Sequence, residues 1–373
     1  MFGGDEQTSV PVILSPPFRK ESGAAWTVPI DPTLFPLTDD VGFVTRSILA
    51  LREDDRLLGP GHASHDEIRT RGSGRYSHWR NVLYFSTSDN SDPNTNGRVY
   101  MVEPSETVYF SERVNYALSI VEFYATHVQG GLNGFHDRLV LEIGPGPDMG
   151  SVLAMACLGA RVCVVDRYLA SWRAGWHDKY LPVLIEEMRK RGWPVDPKPV
   201  ERSLTAQAFD PERIRPVPLS LENVTAADLG MGGELADLTV SHAAFEHFYA
   251  MKPALLSLAR CMKPGARGVH RVDFRDHRNF ARPLEFLLLS QAGYDELSGD
   301  AKYQHGNRMR ASVMEALFRA IDFATVDFLP EATIDQEYFA EFLPRLRAAA
   351  DSPFRDIDPA LLSTLGGTFL IVR

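Results

Sequence analysis

The chain of 373 residues has a formal net charge of -10, is 44% hydrophobic and 24% charged, and contains three cysteines, Cys157, Cys163 and Cys261. An acidic balance gives no general attraction to phosphate backbones or anionic lipid, and the cysteines lack the spacing of a zinc site or a disulfide framework. Nucleic acid, membrane surfaces and a disulfide-stapled scaffold are therefore set aside, and the length leaves room for one enlarged domain or two.

In chain order, the start lacks the basic and apolar segments of a signal peptide, and no apolar run is long enough to span a bilayer. A cytoplasmic protein with reduced, buried thiols is expected. Residues 1 to about 40 are rich in Pro and read as an extended arm carrying Trp26 and Phe35. "VGFVTRSILALREDD" suggests a helix, and "GSGRYSHWRNVLYFSTSDNSDPNTNGRVYMVEP" suggests short strands broken by Gly, Asn and Asp. Residues 1–110 thus form an N-terminal arm and accessory lobe, with "GHASHDEIRTRGSGRYSHWR" expected as a substrate lid or a dimer contact. A helix follows, capped by Ser111, with Val114, Ala117, Leu118, Val121 and Tyr124 on its apolar face.

From residue 138 the pattern becomes regular. "RLVLEIG" reads as a strand, "MGSVLAMACLG" as a helix and "RVCVVD" as a strand, which is one βαβ unit. Helices are predicted in "HDKYLPVLIEEMRKRGW", "KPALLSLARCMKPG" and "RMRASVMEALFRAIDF". Strands are predicted in "RIRPVPLS", "ADLTVSHA", "RGVHRVDF", "ATVDFLP" and "GGTFLIVR". This alternation implies an α/β fold with a doubly wound, mostly parallel sheet, its last two strands pairing at one edge.

The first strand-to-helix turn of such a sheet faces the ligand. Here it reads Glu142, Ile143, Gly144, Pro145, Gly146. The bare glycines admit close backbone approach and positive φ, and the prolines stiffen the loop. A dinucleotide would call for G-x-G-x-x-G, but the third position is Met149, which weakens an NAD-dependent oxidoreductase as the alternative. Asp166 ends the next strand, where a carboxylate can accept hydrogen bonds from both hydroxyls of a ribose.

The run E-x-G-x-G followed by an acidic residue after the second strand resembles the first two motifs of class I S-adenosylmethionine-dependent methyltransferases. "ELADLTVSHAAFEHF", with Asp237 leading the strand and Glu246-His247 after it, resembles the family's fourth-strand motif. "ARCMKPGARGVHRVDF" resembles its fifth-strand region, so the likeness runs in order over residues 111–373. It implies a seven-stranded Rossmann-like methyltransferase fold and S-adenosyl-L-methionine as cofactor. By the same resemblance, Glu142, Gly144, Pro145 and Gly146 belong to the cofactor loop, Asp166 holds the ribose, and Arg167 and Tyr168 wall the adenine. Ser220 and Leu221 fall near the adenine, and Ser241 and His242 near the methionine end. The stretch from about 170 to 212, with Trp172, Trp176 and Trp193, departs from the minimal pattern; its aromatics are expected in the core.

Methyl transfer needs an aligned acceptor and, for a hydroxyl or protonated amine, a base. "GVHRVDFRDHRNFARPLEFL" supplies candidates at the end of the fifth strand: His277 as base, Asp273 or Asp276 to orient it, Arg275 or Arg278 to bind an acidic group, and His270 beside them. Strand alternation sends His270 and Asp273 to opposite faces, so this stretch predicts no metal. The likeness of "RDHRNFARPLEFL" to bacterial methyltransferases of natural-product or polysaccharide clusters suggests a small-molecule or carbohydrate-like acceptor. A homo-oligomer is compatible with the sequence, as is a non-catalytic binding protein retaining the pocket.

Overall fold

The computed structural model describes residues 11–39, 47–230, 233–280, 282–299 and 306–373. The chain divides into two units, Met1–Asn115 and Tyr116–Arg373.

The first unit is built from β1 (Val12–Leu14), β2 (Arg19–Ser22), β3 (Ala25–Pro29), β4 (Leu49–Glu53), β5 (Arg56–Leu57), α1 (His65–Thr70), β6 (Tyr76–Trp79), β7 (Val82–Phe85) and β8 (Tyr100–Pro104). The strands form two four-stranded antiparallel sheets, ordered β1-β8-β4-β5 and β2-β3-β7-β6. Their inner faces share one core that includes Phe18, Trp26, Leu51, Leu83, Phe85, Tyr100 and Val102. Phe18 meets both Phe85 and Tyr100 edge-on at 5.4 Å, a favoured aromatic geometry.

Two expectations fail here. The described part of the N-terminal arm, from residue 11, is woven into both sheets, and Trp26 is buried. The helix expected over 41–55 is instead β4 across Leu49–Glu53, while 41–46 lie outside the described residues. Leu49, Ala50 and Leu51 are all buried and pair with β8, so burial on both faces outweighs the helix-like spacing.

Helix α2 (Glu106–His127) carries the expected apolar residues, with Val114, Ala117, Leu118, Val121 and Tyr124 buried. It starts five residues before Ser111, which lies inside it; Ser105 instead accepts the Val108 amide at 3.3 Å.

The second unit continues as β9 (Leu139–Ile143), α3 (Gly150–Cys157), β10 (Arg161–Val165), α4 (Ala174–Lys190), α5 (Lys198–Ala206), β11 (Ile214–Val217), β12 (Ala236–His242), α6 (Met251–Cys261), β13 (Met262–Asp273), α7 (Gln291–Ser298), α8 (Ala311–Arg319), β14 (Thr325–Thr333), α9 (Gln336–Ala348) and β15 (Thr364–Val372). Its seven-stranded sheet has the order β11-β10-β9-β12-β13-β15-β14. The pairings from β11 through β13 are parallel, and β15 runs antiparallel to both neighbours. This is the doubly wound, Rossmann-like sheet expected from the alternation of elements. The buried runs Leu139–Ile143 and Val162–Val165 are continuous because helices cover both faces.

Because β10 and β11 extend to one side of β9 and β12 and β13 to the other, the strand order reverses between β9 and β12. A crevice therefore opens outside their carboxyl ends. The far end of β13 is fixed by Arg310, whose buried guanidinium donates to the carbonyls of Phe274 and Thr364, both at 2.7 Å. A second apolar cluster, including Leu284, Phe286, Tyr294, Phe342 and Leu362, supports the segment that follows β13.

Candidate functional site

A cavity of about 300 Å³ lies at this switch point. It is lined by the ends of β9 and β10 (Ile143, Gly144, Gly146, Val165, Asp166), by Leu219–Glu222, and by Ala243, Ala244 and His247–Ala250. Gly144 and Gly146 hold φ values of 66° and 75°, a region costly for side-chain-bearing residues. A Cβ on Gly144 would come within 2.9 Å of Ala244 Cβ, so the two loops approach too closely for a side chain. A Cβ on Gly146 would meet nothing within 4 Å among the described residues, leaving its backbone open to the cavity.

Met149 does stand where the third glycine of a dinucleotide loop would be, with φ 55°. The close-packing role has moved one residue on, since a Cβ on Gly150 would meet Tyr180 Oη at 2.1 Å and Ala117 Cβ at 2.5 Å.

Asp166 reaches the cavity from the end of β10, with Oδ1 accepting the Tyr168 amide at 2.7 Å. Arg167 crosses to the opposite wall, its Nε donating to Ser220 Oγ at 2.5 Å and its Nη2 to Glu222 Oε1 at 3.2 Å. Tyr168 presents a ring that is 71% exposed beside them. Arg173 bridges to the glycine loop, donating to Asp148 Oδ1 at 3.1 Å while stacking on Trp176 at 4.1 Å. Gly144, Gly146, Asp166, Arg167, Tyr168, Ser220 and Leu221 therefore meet around one cavity.

Four expected cofactor residues do not line it. Pro145 flanks the loop without reaching the cavity. Glu142 is buried beneath the loop, where its Oε1 accepts from Ser151 Oγ at 2.6 Å. Burial raises its carboxyl pKa to about 7 despite that bond. Ser241 is fully buried and bonds to His270 Nδ1 at 2.9 Å. His242 turns toward Tyr116 and Phe123, with Arg271 Nη1 at 3.2 Å from its Nε2. Burial and then the Arg271 charge push its pKa down to about 4.

The run after β13 is corrected in a similar way. His270 is fully buried against Phe245, and its second nitrogen lies 3.1 Å from Thr239 Oγ1. Burial lowers its pKa to about 3, so it is a neutral imidazole of the core and is withdrawn as a catalytic candidate.

Arg275 forks onto Asp273 (2.9 and 2.6 Å) and Arg278 onto Asp276 (2.9 and 2.6 Å), so both guanidiniums are engaged locally. Burial opposes the ionised form of Asp273, but the hydrogen bonds and charge of Arg275 outweigh it and hold the carboxyl below its ordinary range.

His277 remains near the cavity end, its Nε2 3.8 Å from Asp273 Oδ2 and its ring 5.0 Å from that of His247, a cavity-lining residue. Beside them Glu246 is buried, its Oε1 accepting the Asp273 amide at 3.2 Å. Burial raises its carboxyl pKa far above the usual range. The donor atoms of Glu246, His247 and His277 all lie within 4.8 Å of one another, a set able to hold a metal ion.

Sequence reasoning missed Ala243, Ala244, Phe248 and Tyr249 in the lining, and it had Glu246-His247 only as part of the fourth-strand resemblance, open between anchoring the next helix and catalysis. The available signal was the small pair Ala243-Ala244 just after β12, where Ala244 faces Gly144. Ala243 has φ 54°, a strained value that only the folded loop displays.

No family model matches the sequence, and no curated protein matches it. Among solved structures, the chain is similar to a proposed O-methyltransferase of Nostoc punctiforme (14% identity, 72% of this chain and 61% of that one, TM-score 0.34). It is also similar to phosphoethanolamine N-methyltransferase 2 of Haemonchus contortus in complex with S-adenosyl-L-methionine (13% identity, 95% and 70%, TM-score 0.36). A third is an S-adenosylmethionine-dependent methyltransferase of Mesorhizobium loti (12% identity, 64% and 92%, TM-score 0.34). The alignment spans less than two thirds of the Nostoc chain. The strand order and register describe the fold directly.

Proposed function

We propose that the chain is a class I S-adenosylmethionine-dependent methyltransferase that methylates an oxygen or nitrogen of a small-molecule or carbohydrate-like acceptor. One observation carries the reading: the bare loop of Gly144 and Gly146 and the carboxylate of Asp166 line one cavity at the switch point of a sheet in which antiparallel β15 stands between β13 and β14. A dinucleotide sheet runs parallel in the order 3-2-1-4-5-6 and has no such inserted strand, which argues against the NAD alternative.

The cavity suits the cofactor's parts. Gly146 leaves backbone open to an amino-acid tail, Asp166 can accept from two ribose hydroxyls, and Tyr168, Leu219 and Leu221 give apolar surface for a base. When bound, the cofactor supplies an electrophilic methyl group on a sulfonium. The protein's own work is to align the acceptor in a closed approach and to accept its proton. His277 is the base in this reading, with Asp273 at 3.8 Å stabilising the imidazolium that forms. Arg275, held by Asp273, positions that carboxylate rather than binding substrate.

Calorimetric titration with S-adenosylhomocysteine, with NAD as control, tests the cofactor. Binding of the first alone is expected, and binding of neither would leave a scaffold protein. In a screen of hydroxylated and amine acceptors, His277→Ala is expected to lower kcat by about 10²- to 10⁴-fold with unchanged S-adenosylhomocysteine affinity. An unaltered rate would remove His277 from the base role.

A further inference from the structure

We propose that Glu246, His247 and His277 form a site for a divalent transition cation of the zinc class at the acceptor end of the cavity. Two imidazoles and one carboxylate are a donor set suited to zinc and its first-row neighbours, and three protein ligands leave coordination positions open.

An independent observation points to a ligand there. Glu246 is 3% exposed, and its Oε2 has no hydrogen-bond partner among the described residues, although Oε1 is engaged by the Asp273 amide. A buried carboxylate oxygen left unsatisfied is costly, and a cation would satisfy it.

The scaffold around the set is firm. The turn Phe245–His247 is pinned by Asn307, whose backbone amide donates to the Glu246 carbonyl at 2.6 Å and whose side chain donates to the carbonyls of Phe245 and Phe248 at 3.1 and 2.8 Å. Asp273 adds a carboxylate behind His277, and it already neutralises Arg275, the nearby cation that would repel a metal.

Zinc takes nitrogen and oxygen ligands at about 2.0–2.2 Å, so two donors on one ion stand no more than roughly 4.4 Å apart. Donors all within 4.8 Å close to that span by a small rotation of His277, which sits in the turn after β13. Since His247 lines the cavity, the open positions face the acceptor, and a coordinated acceptor oxygen would lose its proton more readily, to solvent; with the ion bound His277 is a ligand, and its role as base belongs to the metal-free chain. That role rests on the methyl-transfer reading; the binding of the ion does not.

The test uses the full chain after chelator treatment, titrated with zinc chloride by calorimetry and by equilibrium dialysis with elemental analysis. One zinc per chain is expected. Glu246→Gln, an isosteric change, and His277→Ala should each weaken binding at least tenfold, while His136→Ala, at an exposed histidine, should not. Cobalt(II) loading should give visible absorption that Glu246→Gln loses, a readout that does not depend on the folding of the alanine variant. Substoichiometric zinc, or uptake that both variants leave unchanged, overturns the site. S-adenosylhomocysteine titrated in parallel separates the two readings: its binding without zinc overturns the metal site alone, and zinc binding without it supports the metal site and removes the cofactor reading.

Discussion

Each unit of the protein holds a cluster of histidine and carboxylates, and the two are satisfied to different degrees. In the first unit His62 is clamped on both nitrogens, with Nδ1 2.5 Å from Asp39 Oδ2 and Nε2 2.6 Å from Glu112 Oε2. Burial disfavours its charge, but the two carboxylates outweigh burial and raise its pKa to about 10. In the second unit Glu246, His247 and His277 sit beside a cavity, and one buried oxygen of Glu246 has no partner among the described residues. A cluster in which one imidazolium is met by a carboxylate on each ring nitrogen is a structural fastening. One that leaves an atom unsatisfied next to open space is built to meet something else.

The largest effect that would sharpen this contrast is on His62. Its replacement by Ala leaves two partly or fully buried carboxylates uncompensated and should cost about 3–5 kcal/mol of first-unit stability, read by urea unfolding with the fluorescence of Trp26 and Trp79. A change below about 1 kcal/mol would break the view of this cluster as a fastening. Because the folded pKa of about 10 lies above the unfolded value of 6.5, the contribution is complete below pH 6.5 and is lost as pH rises through about 10. The unfolding midpoint should fall over that window in the native chain and not in His62→Ala.

Next in size is Glu142, a buried acid whose pKa is raised from 4.5 to about 7. Its contribution is fully present below pH 4.5 and is lost as pH rises through 7. Glu142→Gln keeps an acceptor for Ser151 and should exceed the native chain in stability by about 1–3 kcal/mol at pH 8 while matching it at pH 4. Equal stability at both values would show that the carboxyl is solvated.

Asp166→Ala should weaken S-adenosylhomocysteine binding by about 1–3 kcal/mol in calorimetry, the loss of a charged hydrogen-bond partner. Unchanged affinity would remove Asp166 from the ribose position. The smallest effect belongs to a third pair, His136 with Asp137 at 3.0 Å, where both side chains are exposed. His136→Ala should change stability by less than about 0.5 kcal/mol, since water screens such a pair.

How far the site could be read in advance depended on the kind of signal. The glycine turn and Asp166 were legible because backbone freedom and strand ends leave local marks: Gly144, Gly146 and Asp166 do line the cavity. His270 and His277 carry the same side chain seven residues apart. Strand alternation placed His270 on one face of β13, but it could not say that this face is packed under Phe245 while His277 emerges near His247. The arginines were read as substrate ligands, yet each is held by an aspartate two residues earlier. The described part of the N-terminal arm was misread because strands as short as Val12–Leu14 exist only through their partners.

By itself the sequence determined the alternation of strands and helices from residue 138, the glycine turn and the acidic strand end. These are local properties, set by periodicity and by the φ values a residue type can adopt. Tertiary structure alone decided the antiparallel insertion of β15 between β13 and β14, the burial of His270 and Ser241, and the meeting of Glu246 with His277. Those depend on which segments pair and pack across long separations, and no single stretch of sequence encodes them.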